Sequence, residues 1–318
     1  MSTPRPNLFL VGAMKSATTY LSELIRQHPA VFMSSPKEPC HFVDQQPLRN
    51  AWPYMWGQGY WRSVDRYLEL FADAGDSPVI AEASTTYSKA PMFSGVPERI
   101  LDFNPDARFM YLMRDPLERT ISHYWHRVRF WGERRSIMAA IRSDPHYVDT
   151  SHYTMQLGLY LRHIGRERIY ILTYEELLAD LTGQLRGIYS WLGVDPTFQP
   201  DNLETPVNSM PREIDQVRGR GILESLRQTP SYAKVHPYVP RLMRKLGTHL
   251  AVRRVRPAEV SVSALKDYLR TIQLPQVAEL STLLKRKFPE WQSLNGCAFP
   301  AIASGASDIG LAGTHGGR

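Results

Sequence analysis

A glycine, a lysine and three hydroxyls crowd into the eight residues from Gly12 to Thr19, and that combination suits an anion. Gly12 lets the backbone approach a ligand closely. The amides of Ala13, Lys15, Ser16, Ala17, Thr18 and Thr19 can turn toward a phosphate, Lys15 adds a cation, and Ser16, Thr18 and Thr19 add hydroxyls. A helix starting here contributes the partial positive charge of its first turn. The spacing narrows the ligand. A Walker-type loop reads G-x-x-x-x-G-K-[ST], whereas this lysine follows Gly12 by three residues and the second glycine is missing. Such a tight loop fits one phosphate-like group at the 5′ end of a nucleotide better than a magnesium-bound β,γ-phosphate pair. No strand-terminal aspartate reads as a magnesium ligand.

Arg114 and Ser122 form a second candidate pair. Arg114 follows the apolar run Arg108 to Met113, and Ser122 lies eight residues on. An arginine at the carboxyl end of a parallel strand stands where open sheets bind ligands, and its planar fork suits a separate phosphate. A third group, Lys37, Glu38 and His41, follows another short apolar run and is expected at the same crevice. A carboxylate and an imidazole are both able to take a proton from an incoming hydroxyl. Glu82 ends a further run, and Thr85, Thr86 and Tyr87 after it are polar enough to line a pocket.

The elements that must position these groups follow from the apolar pattern. Runs near 8–12, 30–33, 79–82, 108–113 and 169–173 predict strands. Helical stretches separate most of them, one ending near Gln27 and another running from Leu117 to about Phe130. That alternation predicts an α/β fold with a mainly parallel central sheet flanked by helices. The segment 44–78 reads as an insertion over one end of the sheet, with a helix around 60–72; its Trp52, Tyr54, Trp56, Tyr60 and Trp61 read mainly as core, with a minority at the pocket mouth. Trp125, His126 and Tyr174 read as core or helix-face residues. Residues 196–216 read as a loop, 222–295 as helical with breaks at Pro230, Pro237, Pro240 and Pro257, and the Gly/Ala/Ser-rich stretch 301–318 as a disordered tail after a single domain over 1–300.

Composition sets the class. A chain of 318 residues can bury a substantial core. Two cysteines, Cys40 and Cys297, do not make a disulfide framework. The first residues have no apolar core of a signal peptide, and no apolar run is long enough to cross a bilayer. A cytoplasmic protein without stable membrane insertion is therefore expected. The net charge of +7 fits anionic ligands. Its lysines and arginines are scattered, with no aromatic-interleaved basic module, so nucleic acid is not an expected partner.

G-A-M-K-S-A-T-T-Y at 12–20, P-K-E-P-C-H-F at 36–42 and Y-L-M-R-D-P-L-E-R-T-I-S-H-Y at 111–124 together resemble the sulfotransferases that use 3′-phosphoadenosine 5′-phosphosulfate (PAPS), above all their bacterial and carbohydrate-type branch. Similar segments at 151–160, 169–177, 207–212, 218–220 and 280–291 extend the resemblance over about residues 7–295. It implies a P-loop-like nucleotide-binding fold, PAPS as co-substrate, the bisphosphate PAP as product, no metal, and a hydroxyl acceptor on a small molecule, glycan or lipid. It implies that Lys15 meets the charge growing on the bridging oxygen while Gly12 to Thr19 hold the 5′-phosphate. Arg114 and Ser122 would hold the 3′-phosphate, with Arg218, Gly219 and Arg220 closing over it. Glu38 would remove the acceptor proton, with His41 as its rival because the cytosolic branch uses histidine. Lys37, Glu82, Thr85 and Tyr87 would face the acceptor or the sulfuryl oxygens. Related glycan enzymes often carry a lysine directly after this glutamate; Ala83 stands here, which points away from a highly anionic acceptor. A nucleotide-dependent kinase and a non-catalytic nucleotide-binding module are the alternatives.

Overall fold

The structure, a computed structural model, describes residues 4–201, 213–217, 252–257 and 260–295. Five parallel strands form the central sheet: β1 (Leu8–Gly12), β2 (Val31–Met33), β3 (Val79–Ala83), β4 (Arg108–Met113) and β5 (Ile169–Thr173), in the order β2-β3-β1-β4-β5. All five residues of β1 are buried. Phe9 and Val11 join Phe109, Tyr111 and Met113 on one face, while Leu8 and Leu10 join Met110 and Leu112 on the other. A central strand covered on both sides needs this unbroken apolar run. Moving it by one residue would exchange the two faces.

Helices cover both faces. Tyr20, Leu21, Leu24 and Ile25 of α1 (Thr18–Arg26) pack on the Leu8/Leu10 face, beside Leu185, Ile188, Tyr189 and Leu192 of the helix Leu181–Leu192. The opposite layer draws on three helical regions. The insertion gives α2 (Gln45–Ala51), α3 (Pro53–Gln58) and α4 (Val64–Leu68). After it come α5 (Val96–Phe103) and α6 (Pro116–Trp131), then the helices Tyr153–Leu161 and Ser263–Leu284.

The strand order reverses between β1, whose continuation crosses to β2 on one side, and β4, which continues to β5 on the other. The crevice beyond the carboxyl ends of these two neighbours is the ligand position of such sheets. Gly12 sits at its edge. A Cβ there would stand 2.2 Å from Ser88 Oγ and 2.7 Å from the Tyr111 ring, so only glycine lets the strand tip pack against both.

Three expectations need correction. In place of one helix around 60–72, α3 ends at Gly59 (φ 77°), Ser63 caps α4 by accepting from Arg66 N at 3.1 Å, and a 3-10 turn follows over Glu69–Ala74. The expected loop 196–216 ends in a strand, β6 (Ile214–Val217), and the expected helical stretch 222–295 contains β7 (Val252–Val255). β6 and β7 pair antiparallel, Ile214 opposite Val255. Four-residue strands carry almost no periodic signal and form here through long-range pairing. The helical reading holds over Ser263–Leu284 and Gln292–Asn295. The segments 218–220 and 301–318 lie outside the described residues.

Candidate active site

The loop between β1 and α1 is folded as an anion cradle. Lys15 (φ 72°) and Ala17 (φ 65°) both adopt the left-handed region on either side of Ser16. Non-glycine residues there cost roughly 1–3 kcal/mol each, and the gain is a concave row of backbone amides. α1 then begins with no side-chain cap at Ala17 and no acidic residue in its first turn. Ser16 Oγ is buried with no hydrogen-bond partner among the described residues. Uncapped amides, a bare helix dipole and an orphaned hydroxyl fit a phosphate group. Lys37 also turns here, its Nζ lying 3.4 Å from Thr18 Oγ1 and 3.3 Å from Thr19 Oγ1. Lys37, expected to face the acceptor or the sulfuryl oxygens, therefore reaches the hydroxyls at the start of α1.

Arg114 emerges at the tip of β4, one strand away. Its backbone is clamped by Tyr153, whose hydroxyl accepts from Arg114 N (3.2 Å) and donates to Arg114 O (2.7 Å). The guanidinium lies over the Tyr174 ring at 4.9 Å, and Nη1 donates to Lys15 O at 3.3 Å. The two basic groups thus flank one crevice. Three acids stand nearby: Glu175 Oε1 accepts from Asp115 N at 2.9 Å, and the other two are engaged elsewhere. Asp115 Oδ1 accepts from Leu117 N and Glu118 N at the start of α6, and Oδ2 accepts from Ser293 N and Leu294 N. Glu118 pairs with Lys266 at 2.7 Å and accepts from Ser293 Oγ at 2.6 Å. Among the described residues Arg114 has no carboxylate partner. Ser122 is buried on α6, also without a hydrogen-bond partner among the described residues.

Basic groups gather at the site. Burial first, then the Arg114, Arg129 and Arg119 guanidiniums, push Lys15 down to about 8. Arg119 is buried, held by Ser151 Oγ and Tyr147 O, with no carboxylate on it among the described residues. Cations gathered in a poorly solvated crevice draw an anion strongly.

Glu38 is fixed beside the tip of β3. It lies in the left-handed region (φ 60°) and donates its amide to Ala83 O at 3.0 Å. Its Oε1 accepts from Thr85 N (3.0 Å) and Thr85 Oγ1 (2.8 Å), and Oε2 accepts from Thr86 N (3.3 Å). The 3-10 turn Thr85–Ser88 is itself fastened to β1, through Ser84 N to Leu10 O (3.1 Å) and Ser88 Oγ to Val11 O (2.7 Å). Glu38 is half-buried at the crevice. His41 is packed instead: its ring stacks on Tyr67 at 4.3 Å, Nδ1 donates to Tyr60 O at 2.7 Å, and burial lowers its pKa.

Glu82 and Tyr87, expected on the acceptor wall, are inside the core. Glu82 is 0 % exposed and accepts from Tyr67 Oη and from Ser84 Oγ (2.7 Å). Burial pushes it up to about 7 against the opposing effect of hydrogen bonds from Tyr67, Ser84 and Tyr87. The Tyr87 hydroxyl accepts from His41 N at 3.1 Å. A residue within β3 is covered on both faces, so only the chain beyond Ala83 reaches the crevice.

The structure also brings in groups that the pattern did not single out. Lys89 is 2 % exposed, its Nζ 4.1 Å from the Trp52 ring centroid. Burial and then Lys15, Lys89 and Arg129 hold His126 down to about 3. A loop lysine reads in sequence as surface charge; its only local signal is the apolar stretch Ala90 to Phe93 after it.

Residues 6–200 match the model of a family described as the sulfotransferase family. Heparan sulfate glucosamine 3-O-sulfotransferase 3A1 of Mus musculus is 26% identical over 205 residues, covering 59% of this chain and 46% of that protein. Heparan sulfate glucosamine 3-O-sulfotransferase 6 of Mus musculus is 27% identical over 200 residues, 59% of this chain and 52% of that protein. The chain spans about half the length of the curated relatives it matches. A sulfotransferase structure from Alicyclobacillus acidocaldarius shares the fold, with a TM-score of 0.62 at 24% identity over 91% of this chain and 99% of that one.

Proposed function

We propose that this chain, which belongs to the sulfotransferase family, moves a sulfuryl group from PAPS to an acceptor hydroxyl by in-line displacement. One observation carries the reading: two basic groups stand at neighbouring strand tips, Lys15 in the loop after β1 and Arg114 after β4, joined by the Arg114 Nη1 to Lys15 O bond. A nucleotide with a 5′-phosphosulfate and a separate 3′-phosphate has its charges arranged for such a pair. In the reaction an acceptor oxygen bonds to sulfur, the bond from sulfur to the bridging oxygen breaks, and its electron pair stays on the 5′-phosphate. Lys15 meets that charge, and the acceptor proton goes to Glu38. Like phosphoryl transfer, the step asks the protein mainly for positioning and charge stabilisation. Glu38 is favoured over His41 as the base because it stands at the crevice, whereas the His41 ring is stacked on Tyr67.

The acceptor is a hydroxyl compound, glycan, lipid or smaller. Titration calorimetry with adenosine 3′,5′-bisphosphate tests the donor site. Tight binding, with magnesium-ATP much weaker, is expected. No heat with the bisphosphate, or a preference for magnesium-ATP, overturns the reading in favour of a kinase-type site.

A further inference from the structure

Lys89 is a buried charge that the mechanism above leaves unused. Its loop is rigid: Gln156 grips the next residue from both sides, accepting from Ala90 N (2.9 Å) and donating to Ala90 O (2.8 Å), while Lys89 O accepts from Phe93 N (3.1 Å). The preceding residue, Ser88, is tied to β1 at Val11 O, directly before the Lys15 loop. The ammonium therefore has a fixed place. One side of it rests on the Trp52 ring. Among the described residues it has no carboxylate ion pair and no hydrogen-bond acceptor.

Taking an ammonium out of water without a partner is costly, so a position that keeps one invites a search for the anion it serves. The turn before Lys89 locates that anion: Thr85 and Thr86 donate to Glu38, and Ser88 Oγ donates to Val11 O on β1. Glu38 is the acid that most favours the charged form of Lys89. On the other side, Lys89 and Lys15 both bear on His126, and Lys89 also bears on the buried His123 and His146. Those three histidines are held neutral by burial and by the cations around them, so none supplies negative charge. Lys89 thus follows directly on the turn that ties the base Glu38 to the strand tip from which the Lys15 loop leaves. The group passing between Lys15 and Glu38 is the sulfuryl, with its charge spread over three oxygens.

We propose that Lys89 is a further catalytic residue, donating to the oxygens of the sulfuryl group as it leaves the 5′-phosphate for the acceptor. No proton changes hands at Lys89; the acceptor proton still goes to Glu38 and the bond electrons to the 5′-phosphate. The inference rests on the PAPS reading, and the two are separable because PAPS carries the sulfuryl group and adenosine 3′,5′-bisphosphate does not.

The test measures the affinity of both nucleotides for the wild-type chain and for Lys89→Met. The expected result is PAPS binding weakened about tenfold or more, as for loss of a charge-assisted hydrogen bond, with the bisphosphate affinity unchanged within about twofold. The Met variant should unfold at the same temperature as wild type or higher, since it removes an unpaired buried charge. Lys89→Gln, which keeps a polar tip over Trp52, serves if the Met variant fails to fold, with the same expectation. PAPS affinity unchanged, or both nucleotides weakened equally, overturns the role of Lys89. Wild type binding neither nucleotide overturns the PAPS reading itself.

Discussion

Bisphosphate binding should draw a proton onto Lys15, and the size of the uptake follows from the site. With Lys15 near 8 in the free protein, about half of the chains hold it neutral at pH 8 and about a tenth at pH 7. A phosphate dianion seated in the cradle favours the ammonium and restores it toward its ordinary value. Uptake should then be about 0.5 proton per site at pH 8 and about 0.1 at pH 7. The 5′-phosphate of the free ligand is already a dianion at pH 8, since its second ionisation lies near 6, so it masks little. Titration calorimetry in buffers of widely different ionisation enthalpy reads the uptake as the slope of observed heat against buffer heat. Lys15→Met, similar in length and uncharged, should flatten the slope and weaken binding by about 1.5–3 kcal/mol, roughly 10- to 150-fold. A wild-type slope near zero at pH 8 would refute the reasoning. So would a slope that survives in Lys15→Met; it would move the proton to Lys37, the other partly desolvated cation on the cradle.

Other variants separate the remaining roles. Arg114→Ala should weaken adenosine 3′,5′-bisphosphate about 10- to 150-fold and leave adenosine 5′-phosphosulfate, which lacks the 3′-phosphate, nearly unaffected; equal losses for both would remove Arg114 from the 3′-phosphate. Glu38→Gln should lower turnover of any acceptor that wild type sulfates by about 10²–10⁴-fold while bisphosphate affinity holds, and normal turnover would reassign the base. Glu82 has a folded pKa of about 7, above its ordinary 4.5. Its protonated form is the one the fold favours, so its contribution is complete below about pH 4.5 and lost as pH rises through 7. Urea unfolding of wild type should show about 3 kcal/mol less stability at pH 8 than at pH 4.5 from this group, and Glu82→Gln should remove most of that decline; an identical decline in the variant would place the titration elsewhere.

How much the sequence disclosed depended on the kind of force involved. The five parallel strands were legible because Leu8 to Val11 and their neighbours are near-continuous apolar runs, buried on both faces. The positions of the Gly12–Thr19 loop and of Arg114 at strand tips were legible because each follows directly on one of those runs. β6 and β7 were not, since Ile214–Val217 acquires its strand character only from pairing with Val252–Val255. Glu82 and Tyr87 show the opposite limit. Charge and a hydroxyl suggested a pocket wall, but the covering Tyr67 on α4 comes from the insertion and turns both into interior groups. Lys89 escaped notice because burial of a loop lysine is decided by Trp52 and Gln156, each remote in sequence.

Asp115 grips the first turn of α6 with one oxygen and the turn at Ser293 and Leu294 with the other. A fragment cut after residue 200 would retain every motif from Gly12 to Ser122 and yet leave half of that carboxylate without its amides, right next to Arg114. The smallest piece that bears the signature is thus smaller than the smallest piece that keeps Asp115 fully bonded: the turn at Ser293 and Leu294 acts as a buckle on the crevice beside Arg114.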